Sequence, residues 1–303
     1  MSRTRAAAGC TAIALVLLTA CATTQPPSDS PSPGAPTGTV TSPPPSDSPP
    51  SPPPVTPTGT AGPVEPTALP VYYVGDTAVG FRLYREFHRV PTADPGSAAV
   101  REMLARDSGI DPDYRSHWPV GTQLRSPVRH EGGVITVELT GEARTAQVGA
   151  ELAEMTVQQL VYTVQGALLA TDPVRILVDG ERIDELWGHV ATGEPVRRAD
   201  PYATRSLVQI NEPSEGDRVP RTFTVTGEAA AFEANVLWEV LRDGTVVRSG
   251  YTTAAEGQRF SAFSFTLTLE PGEYVVRVME DSGASPGEGR PPFEDTKRIR
   301  VSD

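Results

Sequence analysis

The chain has 303 residues, 31 of them proline, with 38% apolar content and a formal net charge of −12. That length allows two modest cores, while the proline content leaves part of the chain outside any core. The acidic balance excludes nucleic acid as a partner, and 2 cysteines, one of them in a leader, exclude both a disulfide framework and a cysteine-ligated metal in the mature protein.

Residues 1–20 read as a lipoprotein signal peptide. Arg3 and Arg5 precede an apolar run from Ala6 to Leu18, followed by a small-residue cleavage site. The run is too short to cross a bilayer permanently. Leu18, Thr19 and Ala20 supply the signal-peptidase recognition, and Cys21 supplies the thiolate that takes a diacylglyceryl group, an arrangement that resembles the bacterial lipobox. Two acyl chains of the palmitate kind, at ~0.8 kcal/mol per buried methylene, are expected to hold the protein on the extracytoplasmic face of the cell membrane. Cys10 leaves with the leader, and so do Arg3 and Arg5, which makes the remainder still more negative. Anionic headgroups repel such a body, so the covalent lipid must provide the membrane affinity.

Residues 21–68 hold the lipid anchor and a disordered tether of Pro, Ser, Thr and Gly, with Asp29, Asp47 and Glu65 its charges. Runs such as Pro43-Pro44-Pro45 and Pro52-Pro53-Pro54 favour polyproline II at about 3.1 Å per residue, which gives a reach on the order of 100 Å. The segment is expected to lift the rest of the protein off the membrane.

Residues 69–200 predict an α+β domain, a sheet with helices on one face. Val71-Tyr72-Tyr73-Val74 and Phe81 to Val90 are the first strands. Asp94 before Pro95 starts a short helix whose apolar side is Val100, Met103 and Leu104, and Ser97 beside Gly96 belongs to the chemistry of its first turn. Val134 to Leu139 alternates, with Ile135, Val137 and Leu139 on one face after a turn at Glu131-Gly132-Gly133, and Val128 is placed on the partner strand. Val157, Leu160, Val161, Val164 and Leu168 form a helical stripe that ends before Asp172-Pro173. Val174 to Val178 then enters a hairpin at Asp179-Gly180. Trp118 to Thr122, Val134 to Leu139, Gln159 to Thr163 and Leu177 to Gly180 follow in an order that resembles the GerMN domain of spore-germination and sporulation lipoproteins.

Residues 205–303 change to short β runs between turn residues, the pattern of an all-β immunoglobulin-like sandwich. The predicted strands are 207–210, 222–226, 235–241, 245–253, 260–269, 274–279 and 297–301, with turns at Asp243-Gly244 and Pro271-Gly272. Val236, Trp238 and Val240 face inward, Trp238 as the core aromatic. Ile210 to Pro213, Val219-Pro220, Val225 to Ala229 and Phe232 to Val236 resemble the immunoglobulin-like domain associated with bacterial spore-germination proteins. The two resemblances support each other and imply neither catalysis nor a defined ligand.

No catalytic residue and no cofactor is assigned. His88, His117, His130 and His189 lack zinc-site spacing and read as solvated or hydrogen-bonded structural groups. Glu151 and Glu154 lie on a solvated helix face, and no metal site is assigned. The stretch 280–295 gathers Glu280, Asp281, Glu288, Glu294 and Asp295 among Gly and Pro; it reads as a mobile solvated loop, with calcium binding as the alternative, and its spacing fits no EF-hand. The expected function is a non-catalytic envelope scaffold or protein-interaction module. It is anchored to the membrane by lipid, with envelope proteins or a second copy as partner. Two other readings stand beside it: a regulatory lipoprotein acting on a membrane sensor kinase, and a module that binds cell-wall glycan through Tyr72, Tyr73, Trp118 or Trp187.

Overall fold

The computed structural model describes residues 65–281, 283 and 289–303. The residues read as a leader, with Leu18, Thr19 and Ala20 before the expected lipidation site Cys21, the expected tether up to residue 64 and part of the acidic stretch, including Glu288, lie outside the described residues.

The first region opens with a long antiparallel hairpin, β1 (Pro66–Thr77) and β2 (Gly80–Pro91), in unbroken register from Pro66↔Pro91 to Thr77↔Gly80. Strand structure therefore begins three residues inside the stretch assigned to the tether, because Pro66, Thr67 and Ala68 face partners at Pro91, Val90 and Arg89. Val71, Tyr72, Tyr73 and Val74 are all buried, so both faces of β1 are covered. Helix α1 (Pro95–Leu104) starts as the sequence predicts. The Asp94 side chain accepts the Ser97 amide at 3.0 Å, and Pro95 occupies the first turn. Ser97 is itself fully buried, and its hydroxyl accepts the amide of Val128.

Strand β3 (Tyr114–Arg115) joins β1 as a third strand. A second sheet holds β4 (Arg129–Glu131), β5 (Val134–Leu139), β6 (Val174–Val178) and β7 (Glu181–Arg182) in that order. Val128 falls just before β4 and packs on the core from there. Strands β5 and β6 are parallel, so a crossover must connect them, and helix α2 (Ala150–Leu168) provides it. The hairpin at Asp179-Gly180 has both residues at positive φ, 52° and 82°, as a two-residue turn of this kind requires. Two short strands, β8 (Glu185–Leu186) and β9 (Val190–Ala191), and one turn of helix, α3 (Pro201–Thr204), complete the region.

Helix α2 is buried more widely than its stripe predicts. Val157, Leu160, Val161 and Val164 share the main core with Ile135, Val137, Ile176 and Val178, while Met155 and Tyr162 pack on Tyr72, Val74 and Leu83. Some of its buried polar residues have partners: Thr163 accepts the Tyr72 amide at 3.0 Å, and Gln165 donates to the Asp172 carbonyl at 2.8 Å, whereas the side-chain amide of Gln159 is buried with no hydrogen bond. Glu151 and Glu154 stay exposed, as expected.

The second region is a two-sheet sandwich. One sheet orders β10 (Val208–Glu212), β12 (Thr222–Ala229) and β15 (Ser261–Thr268). The other orders β11 (Asp217–Pro220), β17 (Glu294–Ser302), β16 (Gly272–Glu280), β13 (Asn235–Arg242) and β14 (Thr245–Thr253). Strand β11, parallel to β17, is absent from the sequence expectation because Asp217, Arg218 and Pro220 carry no strand signal; its ladder with Ile299 to Ser302 makes it a strand. Val236 and Val240 are fully buried on the inward face of β13, but Trp238 between them is only half-buried. It lies next to the edge strand, stacked on Phe265 at 5.1 Å and laid over Gly250, so it borders the core and does not centre it.

Candidate functional site

The two regions belong to one compact unit, Gly59–Asp303, and the densest polar chemistry lies where they meet. On the first side stands the loop from Ala105 to Asp113. Glu86 of β2 holds it by accepting the amides of Ile110 and Asp111, each at 2.8 Å. A side chain at Gly109 would collide with that carboxylate, since a Cβ there would sit 2.7 Å from Glu86 Oε1. The loop aims Asp111 across the junction, and β3, paired to β1, aims Tyr114 beside it. On the second side β17 turns Asp295, Lys297, Ile299 and Val301 to its inner face, all buried.

Lys297 Nζ donates to Asp111 Oδ2 at 2.7 Å, to the Tyr114 hydroxyl at 2.7 Å and to Asp295 Oδ1 at 2.9 Å. All three ammonium protons are thereby used. Tyr114 donates its own proton to Asp295, whose second oxygen accepts the Ile210 amide at 2.6 Å. Burial opposes the charge on Lys297, but the carboxylates of Asp295 and Asp111 outweigh it and raise its pKa above the ordinary lysine value. Burial also pushes the Tyr114 hydroxyl well above the usual phenol range, with Asp295 adding to the effect. A lysine in this state is a fixed cation and not a nucleophile, which would need a lowered pKa.

Contacts along β2 extend the junction. Ser206 donates its amide to the Leu83 carbonyl at 3.0 Å, Tyr84 donates its hydroxyl to the Glu294 carbonyl at 3.0 Å, and the Arg85 amide donates to Gln209 Oε1 at 3.2 Å. The Arg85 guanidinium meets Asn211 and Glu228, and Glu228 also pairs with the nearly buried Arg205 at 2.8 Å. Tyr84 stacks on Tyr114 with ring centroids 4.5 Å apart. Such charge pairs contribute little net stability against a well-packed apolar substitute, but each demands one geometry, so the network fixes how the two regions meet.

The residues singled out from sequence are not brought together. His88 is buried between Glu86 and Glu102, His130 bonds Asp172 at 2.7 Å, and His189 is exposed. Among the described residues no group of three or more His, Cys, Asp or Glu side chains could hold a metal ion. The described residues of the acidic stretch do not converge. Glu280 is buried, pairs with Arg290 and accepts the Phe293 amide, while Asp295 is consumed by Lys297. Tyr72, Tyr73 and Trp118 are buried, and Trp187 is half-buried against Trp118 with its ring nitrogen donating to the Ala143 carbonyl, so none offers a face to glycan. The exposed aromatics among the described residues are instead Phe87, Tyr202, Phe232 and Tyr251. Sequence reading passed over the junction, yet it left a signal: the two-residue period of β17 places Asp295 and Lys297 in line with Ile299 and Val301, and a charge in a core register needs a partner.

Residues 70–184 match the family described as sporulation and spore germination, and residues 207–286 match the immunoglobulin-like domain of bacterial spore germination. Both resemblances read from the sequence are thus found in the expected order, and the descriptions name a process and no reaction. Among solved structures the chain is similar to the tandem GerMN domains of the sporulation protein GerM from Bacillus subtilis, at 20% identity and a TM-score of 0.38, covering 47% of this chain. It spans about half of that structure, 49%. It is also similar to a candidate lipoprotein from Clostridium perfringens, at 18% identity and a TM-score of 0.32, covering 46% of this chain and 92% of the other. Fibronectin(III)-like modules of CbhA from Clostridium thermocellum match at 19% identity and a TM-score of 0.21, over 31% of this chain and 95% of the module. No curated protein matches significantly. No helix among the described residues is long and apolar enough to cross a membrane.

Proposed function

We propose that the protein is a lipid-anchored, extracytoplasmic interaction module of the cell envelope that binds a protein partner and catalyses nothing. The observation that carries this reading is the junction. A sporulation-type region and a germination-type immunoglobulin-like region are joined by a buried ion cluster whose polar atoms are engaged with one another or with backbone amides. Groups so engaged orient two surfaces and have no free valence for substrate. The anchor rests on Cys21 after Leu18-Thr19-Ala20, with the Pro-rich tether as spacer. The partner is an envelope protein or a second copy of the chain, met through exposed surface such as that around Tyr251 on the edge strand β14.

The anchor is tested by Cys21→Ala. Wild-type protein is expected in the membrane fraction and in the detergent phase on phase separation, and to carry labelled fatty acid. The variant is expected unlabelled, in the aqueous phase. A variant that stays in the membrane fraction contradicts the lipid anchor.

A further inference from the structure

His88, toward the C-terminal end of β2, is 5% exposed, and both of its ring nitrogens face carboxylates: Nε2 lies 3.1 Å from Glu86 Oε2 and Nδ1 lies 3.1 Å from Glu102 Oε2. A neutral imidazole has one N–H and one lone pair, so it can donate to only one of them. Both contacts are hydrogen bonds only when the ring is an imidazolium. The two carboxylates are not equivalent. Glu86 has a side chain 8% exposed and is held by the amides of Ile110 and Asp111, so it cannot turn away. Glu102 has a side chain 30% exposed, and it borders a cleft of about 840 Å³ between the two regions, lined on one side by Phe87, Arg106 and Ile110 and on the other by Asn211 and Asp217.

We infer that His88 is a proton-operated latch on this cleft: as an imidazolium it ties Glu102 of α1 to β2, and on losing its Nδ1 proton to solvent it releases Glu102 into the cleft. The remaining proton stays on Nε2, because Glu86 would otherwise face a lone pair with no water to replace the bond. The charged groups around the ring are Glu86 on its own strand, Glu102 and Arg106 from α1 and the turn after it, and Arg89, Glu212 and Asp217 along the cleft; Tyr73 of β1 stacks on the ring at 6.0 Å. Burial opposes the charge on His88, but the hydrogen bonds and attraction of Glu86 and Glu102 outweigh it and raise its pKa above 6.5. Burial likewise opposes the charge on Glu86, and the His88 and backbone hydrogen bonds prevail and lower its pKa. With His88 raised, its contribution to stability is complete below the unfolded-state value and disappears as pH rises through the folded one. The contribution of Glu86 is present above its unfolded value and is lost as pH falls through the folded one. The latch is therefore closed on the acid side of the raised His88 pKa and open on the alkaline side, where the cleft gains a free carboxylate. This inference does not depend on the lipid anchor.

The test is a pH titration of the full-length chain uniformly labelled with nitrogen-15, in wild type and Glu102→Gln. In wild type both ring nitrogens of His88 are expected to be protonated at acid pH, with a midpoint above 6.5 and an Nε2–H tautomer beyond it. The backbone amide of Glu102 should shift with the same midpoint. In Glu102→Gln the midpoint should fall by about one unit or more, as expected for loss of an opposite charge in contact. A His88 midpoint at or below 6.5 in wild type, an Nδ1–H tautomer, or a midpoint unmoved in Glu102→Gln overturns the latch.

Discussion

Lys297→Met lowers the unfolding free energy by about 3–5 kcal/mol, because it leaves Asp111 and Asp295 facing each other in a buried site with no cation between them. The methionine can fill the space of the lysine stem, so the loss comes from the stranded charges and not from a cavity. Adding Asp111→Asn to Lys297→Met should return part of the loss, since one stranded charge disappears while its volume is kept. Urea unfolding measures both, read as a fall in midpoint at unchanged slope. The spectroscopic readout should come from both regions, since the cluster joins them. A single variant within about 0.5 kcal/mol of wild type would mean that the charges at the junction are solvated and hold nothing together.

Gly227→Ala is the second large effect. Gly227 lies in β12, the central strand of its sheet, opposite Ile210 on one side and Phe263 on the other. A Cβ there would sit 2.2 Å from the Gln209 carbonyl oxygen and 2.2 Å from the Phe263 ring. The ring could turn aside, but the carbonyl belongs to β10 and cannot move without breaking its ladder. The expected cost is at or beyond the upper end of the ~1–3 kcal/mol typical of overpacking. Because β10 also carries Ile210, whose amide bonds Asp295, the shift should reach the junction and lower protection of that amide in hydrogen exchange. Wild-type stability in this variant contradicts the packing of β12 against β10.

Elements whose signal is local were legible in the sequence. The Asp94 cap, the turns at Asp179-Gly180 and Asp243-Gly244, and the alternation of Ile135, Val137 and Leu139 depend on neighbours a few residues away, and each is found in the structure as read. What failed to show depends on distant partners. Strand β11 exists through its ladder with β17, some eighty residues on. The wider burial of α2 follows from Tyr72, Val74 and Leu83 covering Met155 and Tyr162, which lie off its stripe. Trp238 looks central by period alone, but its place next to the edge strand leaves it half-covered. The junction was missed for a related reason: Asp111, Tyr114, Asp295 and Lys297 lie more than 180 residues apart in their longest pairings, and no spacing rule connects them. The register of Lys297 with Ile299 and Val301 was the one local sign. The proposed anchor is the reverse case: it rests on the local pattern Leu18 to Cys21 alone, which lies outside the described residues.

The proposed role as an anchored interaction module is tested most directly by photo-crosslinking in living cells, with the full-length protein carrying a photoreactive residue in place of Tyr251 or Tyr202, both exposed. The account predicts discrete adducts with an envelope protein or with a second copy of the chain, and their loss when Cys21→Ala is added. Adducts to wall glycan alone, or protein adducts that persist unchanged without Cys21, contradict it.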